Sequence, residues 1–164
     1  MYRLKKAFTI VELIIVMVII SIVSMIAIPM LSSAADTQVR SAANILAADI
    51  EYTKNLAITH QKNYSVVFDI DNNTYQICDK DLVVIEHPVT GKPYSVNFTN
   101  ESRLGRVDIS SALFDGSNKL TFDYLGSPYN GSSNPLNSGE IILDADSFSK
   151  TIQVQAVTGY LTIK

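Results

Sequence analysis

The chain has 164 residues, of which 47% are apolar and 18% charged, with a net charge of −3. That balance excludes a disordered chain and fits one domain with an appendage. Acids outnumber bases by 16 to 13, which argues against a nucleic-acid binder, because phosphate neutralisation needs clustered Lys and Arg.

The first seven residues hold Arg3, Lys5 and Lys6 and no acid. From Ala7 to Leu31 the only ionisable side chain is Glu12, so the positive mean hydropathy comes largely from this stretch. Phe8 to Met30 at 1.5 Å per residue covers about 34 Å, enough to cross a hydrocarbon core of about 30 Å. Cations before the run and none within it place the N-terminus in the cytoplasm. Two other readings compete. One is a cleaved secretory signal ending at Ser33-Ala34-Ala35, although the apolar run exceeds a normal h-region. The other is a plain anchor, which leaves Glu12 unexplained. An acid inside a membrane segment is costly and calls for a partner, and no Lys, Arg or His lies within the run. A cut between Ala7 and Phe8 would create an α-amine four residues from Glu12. An amine at that depth on a neighbouring helix would serve equally well.

Ala7-Phe8-Thr9-Ile10-Val11-Glu12-Leu13 and the apolar run after it resemble the class III signal of type IV prepilins and type II secretion pseudopilins. The resemblance implies that a prepilin peptidase cuts before Phe8 and methylates its new amine. Glu12 then becomes the fifth mature residue, and Pro29 falls where many relatives kink their helix. Ala7 departs from the glycine usual before the cut.

Helical periodicity continues beyond Pro29. Ala35, Val39, Ala42, Leu46, Ile50, Thr53 and Ala57 recur every three or four residues, and no Gly or Pro interrupts residues 30–62. One helix from about Phe8 to about His60 is expected, bent or locally melted at Pro29, with two helices broken there as the alternative. Its first half is apolar all round. Its second is amphipathic and must pack on the globular body.

From Tyr64 the period changes to two. Strands are expected at Tyr64–Ile70, Thr74–Cys78, Leu82–Glu86, Tyr94–Phe98, Arg106–Ile109, Leu120–Tyr124, Glu140–Leu143, Thr151–Ala156 and Tyr160–Ile163. Asp71-Asn72-Asn73 and Val157-Thr158-Gly159 read as hairpin turns. Gly126–Gly139 reads as a long loop, a candidate for subunit or partner contact. The expected fold class is α+β: a long N-terminal helix, transmembrane then amphipathic, packed on an antiparallel sheet or small sandwich. The segments are a leader (1–7), a transmembrane half-helix (8–30), an amphipathic half-helix (31–62) and a β-rich domain (63–164).

This body resembles the minor pseudopilins of the GspH/FimT type. The helix end Tyr52-Thr53-Lys54-Asn55-Leu56-Ala57-Ile58, the unit YSVVFDIDNNTYQI, the run Leu120–Gly126 and the closing VQAVTGYLTI carry that resemblance. It implies a structural subunit of a type II secretion pseudopilus, acting in protein export across the outer membrane. Its partners would be the prepilin peptidase, other pseudopilins and the inner-membrane assembly platform, with the globular domain periplasmic. The alternatives are a FimT-like minor pilin in type IV pilus biogenesis, or a membrane-anchored binding protein that never polymerises. A major pilin fits less well, since many carry a C-terminal disulfide loop and Cys78 is the only cysteine here.

No enzyme signature is present. Asp69-x-Asp71-x-Asn73 begins like a calcium loop, but Thr74 replaces its glycine and Lys80 its bidentate glutamate. His60 and His87 lack zinc spacing, Ser110-Ser111 has no nucleophile context, and Lys150 and Lys164 are too sparse for DNA. No metal or cofactor is expected, and Cys78 reads as a buried small hydrophobe.

Overall fold

A computed structural model describes residues 9–164, and of residues 26–33 the backbone alone. Helix α1 runs Ile10–His60, and the chain divides into two compact units after Ala34. Helical backbone continues through Pro29, so the two-helix alternative does not hold.

In the first unit, Ile10 to Met25 are exposed on every face of the helix. The hydroxyls of Ser21 and Ser24 donate to the carbonyls of Met17 and Ile20, both at 2.8 Å, which folds their polarity back into the backbone. Among the described residues no helix is long and apolar enough to cross a membrane. The span expected over residues 8–30 lies partly outside the described residues. Phe8 lies outside the described residues.

In the second unit, all seven helix positions marked by the apolar period are fully buried, and Ala43 joins them. The helix ends because Gln61 turns left-handed at φ 52°, letting the Lys62 N–H reach the Ala57 carbonyl at 3.2 Å. That bond closes a Schellman cap. Nine strands follow: β1 (Tyr64–Asp69), β2 (Thr74–Cys78), β3 (Ser95–Asn97), β4 (Asp108–Phe114), β5 (Lys119–Phe122), β6 (Pro128–Tyr129), β7 (Gly139–Ala145), β8 (Phe148–Val154) and β9 (Leu161–Ile163). They make two antiparallel sheets, in the orders β3-β2-β1-β5-β6 and β4-β7-β8-β9. Both sheets and the buried stripe of α1 share one hydrophobic core. Phe68 of β1 joins the sheets, with its ring 5.6 Å from Phe114 of β4 and 6.0 Å from Tyr75 of β2. Cys78 is free and buried.

Turn chemistry explains the connections. After β1, Asp69 accepts hydrogen bonds from the backbone and side-chain nitrogens of Asn72, and Asn73 takes the left-handed position at φ 52°. The Asn73 amide is buried. It donates to the Val107 carbonyl at 2.7 Å and accepts from the Ile109 N–H at 2.8 Å, pinning this hairpin to the start of β4. Val157 and Gly159, both at positive φ, close the β8–β9 hairpin.

Four expectations need correction. Leu82–Glu86 is no strand and makes only isolated bridges, Val84 to Cys78 and Glu86 to Pro93. Asp79 holds the Asp81 and Val83 amides instead, with Leu82 left-handed at φ 61°. The strand expected at Arg106–Ile109 runs Asp108–Phe114, because a β-bulge between Ile109 and Ser111 breaks the period of two. β7 extends beyond both expected ends, and β8 starts at Phe148 and stops at Val154, short of the expected Ala156, so that the two meet around Asp146, at φ 54°. Finally, Gly126–Gly139 is not an open loop. Pro128–Tyr129 pairs with β5, Leu136 is buried, and Asp115 accepts from the amides of Asn137 (2.9 Å) and Ser138 (3.0 Å). Those backbone bonds, Asn137's first, hold the Asp115 carboxyl below its ordinary value. Gly126, at φ +82°, lets the turn close on the helix: a Cβ there would lie 2.9 Å from Ile58 Cδ1.

Candidate assembly site

Glu12 is the one ionisable group on the exposed apolar helix, so it defines the candidate site. Thr9 precedes the first helical residue, and its hydroxyl accepts the Glu12 N–H at 3.2 Å. Thr9-x-x-Glu12 is therefore one half of a capping box, which starts the helix at Ile10 without help from another element. Glu12 is exposed and makes no ion pair among the described residues. Ala7 and Phe8 lie outside the described residues. So does the side chain of Pro29, although its backbone is helical.

A second polar cluster seats α1 on the first sheet. The Asp49 carboxylate accepts the hydroxyl protons of Tyr75, at 2.6 Å on β2, and Tyr94, at 2.9 Å just before β3. The Tyr94 ring stacks on Tyr52 of the helix, with centroids 5.9 Å apart. Burial first, and then the Asp49 charge, push both phenols above their ordinary value. The consequence for stability has a definite sign. The fold favours the protonated phenols, so their contribution is complete below about pH 10, where unfolded tyrosines begin to ionise. Above that it is lost, by up to about 1.4 kcal/mol per pH unit for each tyrosine. We expect chemical denaturation between pH 9 and 12 to show this fall, and Tyr75→Phe to make it shallower. At neutral pH the same substitution should cost roughly 1.5–3 kcal/mol, the worth of a hydrogen bond to a charged group. An unchanged slope in Tyr75→Phe would remove this cluster from the account.

Residues 2–28 match the prokaryotic N-terminal methylation motif. The minor pseudopilin EpsH from the type 2 secretion system of Vibrio cholerae superimposes with a TM-score of 0.57 at 10% identity, covering 77% of this chain and 96% of EpsH. A second crystal structure of that protein gives 0.55 at 9% identity, covering 78% and 94%. The Pseudomonas aeruginosa type IV minor pilin FimU gives 0.52 at 13% identity, covering 78% and 89%. The fold is pilin-like. No curated protein matches the sequence.

Within this pilin-like chain the other sequence candidates are placed apart. His60 ends the helix, with Nδ1 2.9 Å from the Tyr64 hydroxyl, while His87 packs on Tyr94 in the β2–β3 connection. Asp69 is engaged in its own turn. The Ser110 hydroxyl donates to Asp144. Among the described residues no group of three or more His, Cys, Asp or Glu side chains could hold a metal. Sequence reading missed two features. Thr9-x-x-Glu12 carries the capping-box signature in the sequence itself. Asp49 had a weaker signal, an acid between the apolar positions Leu46 and Ile50. Its tyrosine partners lie 26 and 45 residues away, too far for local spacing to expose.

Proposed function

We propose that this chain is a minor pseudopilin, a structural subunit of a type II secretion pseudopilus that serves protein export across the outer membrane. Prepilin peptidase cuts between Ala7 and Phe8 and methylates Phe8. Residues 8–30 then hold the subunit in the inner membrane, with the N-terminus cytoplasmic and the β-domain periplasmic. From there the subunit enters a helical filament with other pseudopilins, handled by the inner-membrane assembly platform. In that bundle apolar burial drives packing, and Glu12 sets register by meeting the amine of a neighbouring Phe8. Pro29 gives the helix local freedom to adjust. The role is structural and non-enzymatic, with no nucleic-acid partner.

One coincidence carries this reading: a methylation motif at residues 2–28 precedes a β-domain similar to EpsH. The similarity to FimU supports a second reading, a minor pilin in type IV pilus biogenesis. Mass spectrometry of the protein purified from its native membrane tests the shared core. We expect a mature chain that begins at Phe8 and carries one methyl group. A chain beginning at Met1 overturns processing, and one beginning at Asp36 establishes a secretory signal instead. Crosslinking in membranes then separates the two readings by whether secretion or pilus subunits are captured.

A further inference from the structure

We propose that His87 is an acid-released latch on the tip of the β2–β3 connection. The tip is a tight reversal. The His87 N–H donates to the Lys92 carbonyl at 2.8 Å, and the Gly91 N–H returns to the His87 carbonyl at 2.9 Å. Between them the His87 ring closes the turn, with Nδ1 accepting the backbone N–H of Val89 at 3.1 Å and of Thr90 at 3.4 Å. Two donors aimed at one ring nitrogen require a lone pair there. The ring is therefore the neutral tautomer with its proton on Nε2. A second proton can only go to Nδ1, where three N–H groups would then converge with no acceptor among them. The ring must swing away, and the tip loses both bonds.

The surroundings make this local. The His87 ring lies 4.5 Å from the Tyr94 ring, which continues through Tyr52 to α1. On that side the Asp49 carboxylate is taken by two phenol hydroxyls, and Glu51 faces Lys54 at 3.7 Å. Glu86 and Lys92 flank the tip in the chain and are exposed, and neither forms an ion pair with His87 among the described residues. Among the described residues no carboxylate lies within ion-pair distance of the His87 ring. The tip carries Val89, which is 86% exposed, so the latch sets how that apolar side chain is presented. The inference concerns the β-domain alone and does not depend on the assembly reading.

Proton–nitrogen NMR of the full chain in detergent micelles, from pH 8 to pH 5, tests it. At pH 8 we expect His87 as the Nε2–H tautomer, with slowed exchange at the Val89 and Thr90 amides. On acidification their shifts should track the His87 titration, and protection should fall by about tenfold, the loss of roughly one hydrogen bond. His87→Asn offers an oxygen acceptor at a comparable position without a titrating proton, and should keep protection throughout. His87→Phe keeps the stack without an acceptor, and should lack protection at every pH. An Nδ1–H tautomer overturns the latch. So does a His87 that titrates while both amides stay still, or one that takes up no proton above pH 5.

Discussion

Glu12→Gln is expected to insert into the membrane and fold its β-domain normally, yet to fall out of the filament by a factor on the order of 10² to 10³. That figure is the 3–5 kcal/mol typical of removing one partner from a buried charge pair. Glutamine is the informative choice because two explanations of this position compete. The local one would be the second half of a capping box, the Glu12 side chain returning to the Thr9 N–H; the bond present runs from the Glu12 backbone N–H to the Thr9 hydroxyl and does not use that side chain. Glutamine serves a capping box as well as glutamate does, so a purely local role predicts no loss. The proposed assembly role needs the negative charge, because the neighbouring terminus that Glu12 would meet is a cation. Incorporation measured by crosslinking or pull-down decides the matter. Wild-type levels in Glu12→Gln would reduce Glu12 to a helix starter. Glu12→Ala keeps the backbone N–H that meets Thr9 and removes the carboxylate, so its assembly should match that of Gln to within about 1 kcal/mol, the span of ordinary helix propensities.

Phe68→Ala should be the most destabilising single change in the β-domain, at about 3–5 kcal/mol and roughly 10–20 °C in Tm. The side chain is fully buried and touches rings from both sheets, Tyr75 in its own and Phe114 in the other. Truncation therefore loses transfer energy and leaves a cavity that neither sheet can close without moving the other. Against a domain stability of about 5–15 kcal/mol this is a large fraction. Phe68→Leu keeps most of the volume and should cost substantially less. Val89→Ala, on the exposed tip, should stay within about 0.5 kcal/mol. Denaturant unfolding of the full chain in detergent gives all three. A loss below about 1 kcal/mol for Phe68→Ala would mean the sheets do not depend on that contact.

Much of the second unit could be read from the chain because its causes are local. A stripe of six apolar positions and Thr53 at helical spacing is buried as one face, since a continuous helix turns every third or fourth residue the same way. Asp71-Asn72-Asn73 and Val157-Thr158-Gly159 reverse the chain through Asn73 and Gly159, which tolerate left-handed backbone, while Val157 is held there against its β-branched preference. Reading failed where an irregularity masks the period. The bulge in β4 shifts Ser111 out of alternation, and the Asp79 turn draws Leu82–Glu86 away from a ladder although its residues favour strands. In Gly126–Gly139 the turn residues were plain, but what ties them down was not. Their anchor, Asp115, comes from another part of the chain.

The order of residues by itself determined the helix with its apolar and amphipathic halves, the switch to strands after Tyr64, and an isolated acid near the start of the apolar run. Each is a matter of spacing along one backbone, where a side chain's direction follows from its position. Only the tertiary structure decided that β1 lies between β2 and β5, that β4 opens a separate sheet, and that Asp49 receives two tyrosines. Those contacts join segments distant in the chain. Their selection depends on which pairing buries the most apolar surface while leaving the fewest polar groups unpaired, a property of the assembled core and not of any window of residues.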